Sequence, residues 1–268
     1  MTSKKSVGIV IPIYKNKLYE YESISLAQCF NILSRYPIFI IKPESLDVSS
    51  IQQQYPQVSI KSFDDDYFND GLYGYNKLML SQTFYEKFLQ YDYILIYQLD
   101  AWVFQDELEY WCSKNYDYIG APWIIRPIFN LLPLRIFIYL QSKYYNHIGR
   151  IVKYERVGNK VGNGGFSLRK VKSFYQSVEQ QQGIIEYYNE QSRKIPHFFN
   201  EDVFWSLENL NFRYPPYKEA LQFSFDNHPK ECMQMNNNTL PFGCHGWSKP
   251  RKIKFWKDII LRKPEFEK

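Results

Sequence analysis

The chain has little cysteine. Its 268 residues include four, Cys29, Cys112, Cys232 and Cys244, scattered without a CxxC pair. That spacing indicates neither a zinc ribbon nor a disulfide framework and fits a reducing compartment. Long apolar runs are also lacking. After Met-Thr-Ser-Lys-Lys the stretch Val7–Ile13 is only strand-length and contains Pro12, so no secretory leader is expected. The longest apolar patch, Ile128–Leu140, is broken by Pro133 and Arg135 and is too short to span a bilayer. No Walker A or GxGxxG loop occurs. The net charge is only +5, and without a recognised binding motif no nucleic-acid partner is expected. What remains is a cytoplasmic protein, soluble or peripheral to a membrane. Aromatics, by contrast, reach 19%, with 24 Tyr and 20 Phe, which excludes a disordered chain and supplies surfaces that stack on rings or sugars.

Tyr93–Tyr97 is a continuous β-branched and aromatic run, the signature of a strand buried on both faces. Asp100 follows just past its carboxyl end, where open α/β sheets place their ligands. The alternative is an Asp that only caps a turn. Upstream, Val7–Tyr14 reads as a first strand ending in a proline turn, residues 22–34 as a helix with Ile24, Ala27 and Phe30 on its apolar face, and Ile38–Ile41 as a second strand. This β-α-β opening builds a parallel sheet. Val58–Phe63 is a further strand, and Asp64, Asp65 and Asp66 after it read as a solvated loop rather than a metal site. The segment 71–82 reads as a loop entering a helix, with glycines that allow close backbone approach and Lys77 placed to neutralise a phosphate.

Three later stretches carry chemistry-bearing residues. Gly162, Gly164 and Gly165, with Asn163 between them, precede the strand-like Phe166–Arg169, so backbone there passes close to something bulky. Asn200 is a good N-cap residue, followed by Glu201 and Asp202 in a first helical turn. His245 lies between Cys244 and Gly246 on a late loop and is sterically free to reach a ligand.

In this order the blocks QLDAWVF, YIGAPW, NGGFSLR, NEDVFW and FGCHGW resemble a GT-A glycosyltransferase across nearly the whole chain. The resemblance implies a single α/β domain over residues 1–247, with a mostly parallel central sheet flanked by helices and an aromatic, basic insert at 124–150. It implies a metal site, Mn2+ or Mg2+, at Asp100 and His245, although Gln98 stands where the family's acidic motif has its first carboxylate. Donor-nucleotide contacts are implied for Pro12, Tyr14, Asn76, Lys77, Gln98 and Leu99, and donor-sugar or acceptor contacts for Gly162, Asn163, Gly164, Gly165, Trp123 and Trp247. Asp202 becomes the catalytic base with Glu201 beside it, which implies inversion. The implied reaction moves a sugar from a nucleotide-sugar donor, a UDP-sugar, to a saccharide or lipid-linked glycan hydroxyl, in surface polysaccharide or glycan synthesis. The alternatives are a non-catalytic sugar-nucleotide or glycan binder of the same fold, and a sugar nucleotidyltransferase.

The tail, 248–268, is basic and sets Phe255, Trp256, Ile259 and Ile260 on one helical face. That is the pattern of an interfacial helix drawn to an anionic membrane surface, here the inner membrane face, with Ile128–Leu140 as a second contact. The competing expectation is that both segments pack on the core or form a homodimer.

Overall fold

The computed structural model describes residues 4–147, 156–195 and 197–261. Residues 148–150 of the expected insert and 262–268 of the expected tail, with Arg262 and Lys263, lie outside the described residues.

Strand β1 (Val7–Pro12) is buried along its whole length. It pairs in parallel with β2 (Ile38–Pro43) on one side and β4 (Tyr93–Tyr97) on the other. Helix α1 (Glu20–Leu33) connects β1 to β2. Its inward residues are Ser25, Leu26, Cys29, Phe30 and Leu33, one step round from the expected face: Ala27 is exposed and Ile24 turns towards a second, smaller sheet. Helix α2 (Ser49–Gln54) leads to the edge strand β3 (Ser59–Phe63). Helices α3 (Asp66–Asn69), α4 (Gly71–Met79) and α5 (Gln82–Glu86) follow. Segment 71–82 is thus helical almost from its first residue, and Gly71, with φ +52°, makes the left-handed step that starts α4.

After β4 come β5 (Ala101–Val103), α6 (Leu108–Ser113), β6 (Tyr118–Gly120) and α7 (Leu132–His147), which follows a 3-10 turn at Pro127–Asn130. Then β7 (Phe166–Lys170) enters the main sheet, followed by α8 (Val171–Gln180), α9 (Gln182–Lys194), α10 (Glu201–Leu207) and α11 (Tyr217–Phe223). The chain closes with β8 (Ser224–Phe225), α12 (Pro229–Met235), β9 (Gly243–His245) and α13 (Ile253–Ile260).

The main sheet has the order β3-β2-β1-β4-β7-β6, and β7 runs antiparallel to both neighbours. The expected α/β architecture, mostly parallel and flanked by helices, is the one that forms. Alternation along the strands divides the core. Ile9, Ile11, Ile40 and Leu95 face α1, whereas Val10, Ile41, Ile94 and Ile96 face the side packed with Leu78, Phe84, Phe174 and Trp205. The smaller sheet, β5-β9-β8, supports a third cluster around Trp102, Cys244, Trp247 and Trp256.

This third cluster corrects the expectation for the tail. Trp256 of α13 is fully buried between Phe104 and Phe225, and Phe255 and Ile260 pack against the same cluster. Most of the apolar face meant for a membrane is covered by protein, with Ile259 left exposed, because burying an indole against aromatic rings inside the fold satisfies the same amphipathic pattern.

Candidate active site

The sheet changes winding direction at β1 and β4, and the crevice outside their carboxyl ends is where this topology opens a ligand site. The turn after β4 is held from two directions. Gln98 N–H donates to the Gly165 carbonyl at 2.8 Å, and Trp247 N–H donates to the Asp100 carbonyl at 3.1 Å. The small sheet sets Ala101 of β5 directly opposite His245 of β9. That pairing brings together residues far apart in the chain. His245 Nε2 lies 3.0 Å from Asp100 Oδ1 and 3.1 Å from Gln98 Oε1. Its Nδ1 lies 3.3 Å from Asp226 Oδ1, which also pairs with Lys252. Lys249 Nζ sits 3.0 Å from the other Asp100 oxygen.

Burial on its own lowers the pKa of His245, but the carboxylates of Asp100 and Asp226 outweigh it and raise the imidazole to about 9. Burial works to raise Asp226, yet the contacts with His245 and Lys252 hold it down at about 2. The raised imidazole has a consequence for stability. A histidine whose folded pKa exceeds its ordinary 6.5 contributes fully below pH 6.5, and the contribution is lost as pH climbs through about 9. In chelator, unfolding temperature measured from pH 6 upward is therefore expected to fall as pH climbs across that window, and His245→Gln to flatten the fall.

The donor set fits a divalent cation. Ligands about 2.1 Å from a metal and at right angles to one another stand about 3.0 Å apart, close to the spacing of Gln98 Oε1 and Asp100 Oδ1 from His245 Nε2. The set is a partial one: one carboxylate, one imidazole and one amide oxygen. Among the described residues no three His, Cys, Asp or Glu side chains gather in a metal-binding group. A diphosphate would have to supply the remaining oxygens.

The glycine stretch makes room for these groups. A Cβ on Gly165 would stand 2.2 Å from His245 Nε2, and one on Gly164 would stand 1.8 Å from Glu201 Oε1. Gly162 lies under the ring of Trp123 rather than in the cleft. Asn163, with φ +60°, accepts a hydrogen bond from the Gly165 N–H at 3.3 Å.

Glu201 and Asp202 open α10 and part company there. Glu201 is buried, with Oε1 3.0 Å from Arg169 Nη2, while its Oε2 has no hydrogen-bond partner among the described residues. Burial raises its pKa to about 7 against the opposing effect of Arg169. Arg169 is fully buried in β7 and also donates to the Tyr85 hydroxyl at 2.9 Å and to Ser167 Oγ at 3.1 Å. Asp202 is half-buried and lines the cleft. Asn200 occupies the N-cap position, but its side chain does not cap; Asn76 does so instead, its Oδ1 accepting from the Glu201 N–H at 3.2 Å.

Two adjoining cavities result. The smaller, about 400 Å³, is lined by Pro12, Tyr14, Tyr75, Gln98, Leu99 and Asp100 among others. The larger, about 980 Å³, includes Asn76, Trp123, Asn163, Gly164, Gly165, Glu201, Asp202 and His245. Leu72, Tyr75, Gln98 and Lys249 border both. Two expected contacts fall elsewhere. Lys77 is exposed and lines neither cavity, its ammonium near the Tyr67 ring. Trp247 is fully buried, edge-on to Tyr21 and Trp102, so it offers no face to a sugar. Sequence reasoning missed Lys249, Asp226 and Arg169. Asp226 had a readable signal, since it ends an alternating stretch, Leu221-Gln-Phe-Ser-Phe.

A family model described as a protein of unknown function (DUF5672) matches residues 57–245. No curated protein matches. Among solved structures, mouse xyloside xylosyltransferase 1 in its apo form superposes with a TM-score of 0.53 at 8% identity, covering 92% of this chain and 99% of that one. The galactosyltransferase LgtC, in complex with donor and acceptor sugar analogs, gives 0.53 at 11% identity, covering 95% and 94%. At such identities the likeness is one of fold, and the fold is of the GT-A type.

Proposed function

This chain belongs to the family described as a protein of unknown function (DUF5672), and we propose that it is a metal-dependent, inverting glycosyltransferase. In this reading the donor is a nucleotide sugar, a UDP-sugar, and the acceptor is a hydroxyl of a saccharide or lipid-linked glycan in glycan synthesis. One observation carries the proposal: Gln98, Asp100 and His245 converge on the border of two cavities, and Asp202 lies on the wall of the larger.

The nucleotide occupies the smaller cavity beside Tyr14 and Tyr75, and the donor sugar reaches into the larger. Asp100, His245 and the Gln98 amide oxygen would hold Mn2+ or Mg2+, and the imidazole nitrogen favours Mn2+. Such an ion, when bound, supplies Lewis-acid neutralisation of the departing diphosphate. Lys249, on the edge shared by both cavities, adds a positive charge next to the same phosphates. The acceptor oxygen attacks the anomeric carbon while the bond from that carbon to phosphate oxygen breaks, its electron pair leaving on the diphosphate. The acceptor proton passes to Asp202. Trp123 and the backbone of Asn163–Gly165 line the space for the sugars. Gly8 does not serve a nucleotidyltransferase's phosphate loop, since it lies inside β1 against the Phe39 ring. Four free, buried cysteines support the cytoplasmic location that forms part of this proposal.

Isothermal titration of a panel of nucleoside diphosphates with Mn2+, Mg2+ or EDTA tests the reading. One nucleotide is expected to bind with metal and to weaken about tenfold or more in EDTA. No binding under any condition would remove the donor site. Proton NMR of the product's anomeric signal then decides inversion.

A further inference from the structure

Helix α7 turns Leu134, Ile138 and Ser142 inward and most of its other side chains to solvent. Among the described residues, the element it packs against is chiefly the 3-10 turn that precedes it. Leu131, Leu132, Ile136, Phe137, Tyr139, Leu140 and Tyr144 are all between 51% and 69% exposed. Soluble surfaces scatter such side chains singly; a contiguous set marks a contact surface. The exposed groups change along the helix. The first two turns are apolar apart from Arg135, and the last two carry Lys143 and Tyr144.

Charge identifies the partner. Between Asp117 and Glu155 the sequence has no acidic residue, yet it carries Arg126, Arg135, Lys143, Arg150 and Lys153. Arg126 is paired with Glu231 at 2.8 Å. Arg135 and Lys143 have no carboxylate partner among the described residues. Two copies packed through α7 would bring these cations together with no acid on the helix to pair them. An anionic bilayer offers both an apolar interior and negative headgroups. The helix has 16 residues, and among the described residues no helix is long and apolar enough to cross a membrane, so the geometry is one of lying in the interface.

We propose that α7 docks this protein on an anionic lipid surface. The arm is rooted at the cleft: Trp123 N–H donates to the Lys160 carbonyl at 3.0 Å, and Ile125 N–H to Asn159 Oδ1 at 2.9 Å. Docking through α7 therefore presents the Trp123 edge of the larger cavity to the membrane. This deepens the proposed function by favouring a lipid-linked acceptor over a free saccharide, and only that last step rests on the proposed activity.

The test is flotation of the whole chain with vesicles of phosphatidylcholine alone, or with about a third phosphatidylglycerol. Wild type is expected to float with the anionic vesicles and to partition about tenfold less onto neutral ones. The triple variant Ile136→Glu, Phe137→Glu, Leu140→Glu is expected to stay behind, and Arg135→Gln with Lys143→Gln to lose the anionic preference. Circular dichroism and nucleotide titration on the same samples establish that the variants fold, and keep a failure of docking separate from a failure of the glycosyltransferase reading. Wild type that ignores anionic vesicles, or a triple variant that floats as well as wild type, overturns the proposal. So does a wild-type dimer that the triple variant dissociates while vesicle binding is absent.

Discussion

Asp100→Ala is expected to lower turnover by about a thousandfold or more, close to 4 kcal/mol of transition-state stabilisation, and to remove metal-dependent nucleotide binding. The expectation follows from how few anions the site has. Asp100 is the carboxylate at the carboxyl end of β4, where the two cavities meet, and its two oxygens face His245 and Lys249 at 3.0 Å each. Because Gln98 stands two positions before it, the turn after β4 offers no second carboxylate to hold a cation in its absence. The loss is expected to be more severe than in a site built on two acids. Asp100→Asn separates charge from shape: if charge is what matters, the amide performs as poorly as alanine. Titration of nucleotide with Mn2+ into both variants, alongside steady-state rates, measures the effect. A variant that binds nucleotide as wild type does, with metal still required, would place the metal elsewhere.

Local pattern and long-range pairing account for what was legible beforehand. The run Tyr93–Tyr97 read correctly as a buried strand, and Val7–Tyr14 did so as far as Pro12, because both faces of the sheet are covered there. Asp100 followed from the rule about strand ends. Three glycines in four positions announced close approach, but not what approaches, since Glu201 and His245 arrive from other parts of the chain. The partnership of Asp100 with His245 depends on the register of β5 against β9, which no local pattern encodes. The tail shows a different limit. An amphipathic helix has the same sequence whether its apolar face meets lipid or protein, and Trp256 meets protein. Trp247 was misplaced for the same reason: an aromatic two residues past a candidate ligand histidine suits a sugar platform and a core equally well, and here it fills the core.

The other large effect comes from neighbours on α10 with separate consequences. Successive helical residues point about 100° apart, so Glu201 and Asp202 cannot both face the cleft squarely. Glu201 turns inward to Arg169, and Asp202 borders the larger cavity. Asp202→Asn is therefore expected to reduce kcat by 10²- to 10⁴-fold, in the order expected for loss of a general base, while nucleotide affinity and unfolding temperature stay near wild type. Arg169→Met is expected to do the reverse in kind. It leaves the buried Glu201 without its counter-ion, a loss of about 3–5 kcal/mol in folding stability, as breaking a buried pair from one side does. The pairing also carries a pH signature. Burial already raises Glu201 to about 7 with Arg169 present, and removing the cation pushes it higher, so the variant recovers stability as pH falls and the carboxyl protonates. Chemical denaturation at pH 5 and pH 8, with kcat for each variant, separates the two roles. Should Asp202→Asn retain full kcat while Glu201→Gln loses it without a change in stability, the base is the buried residue, and the half-buried carboxylate only shapes the cleft.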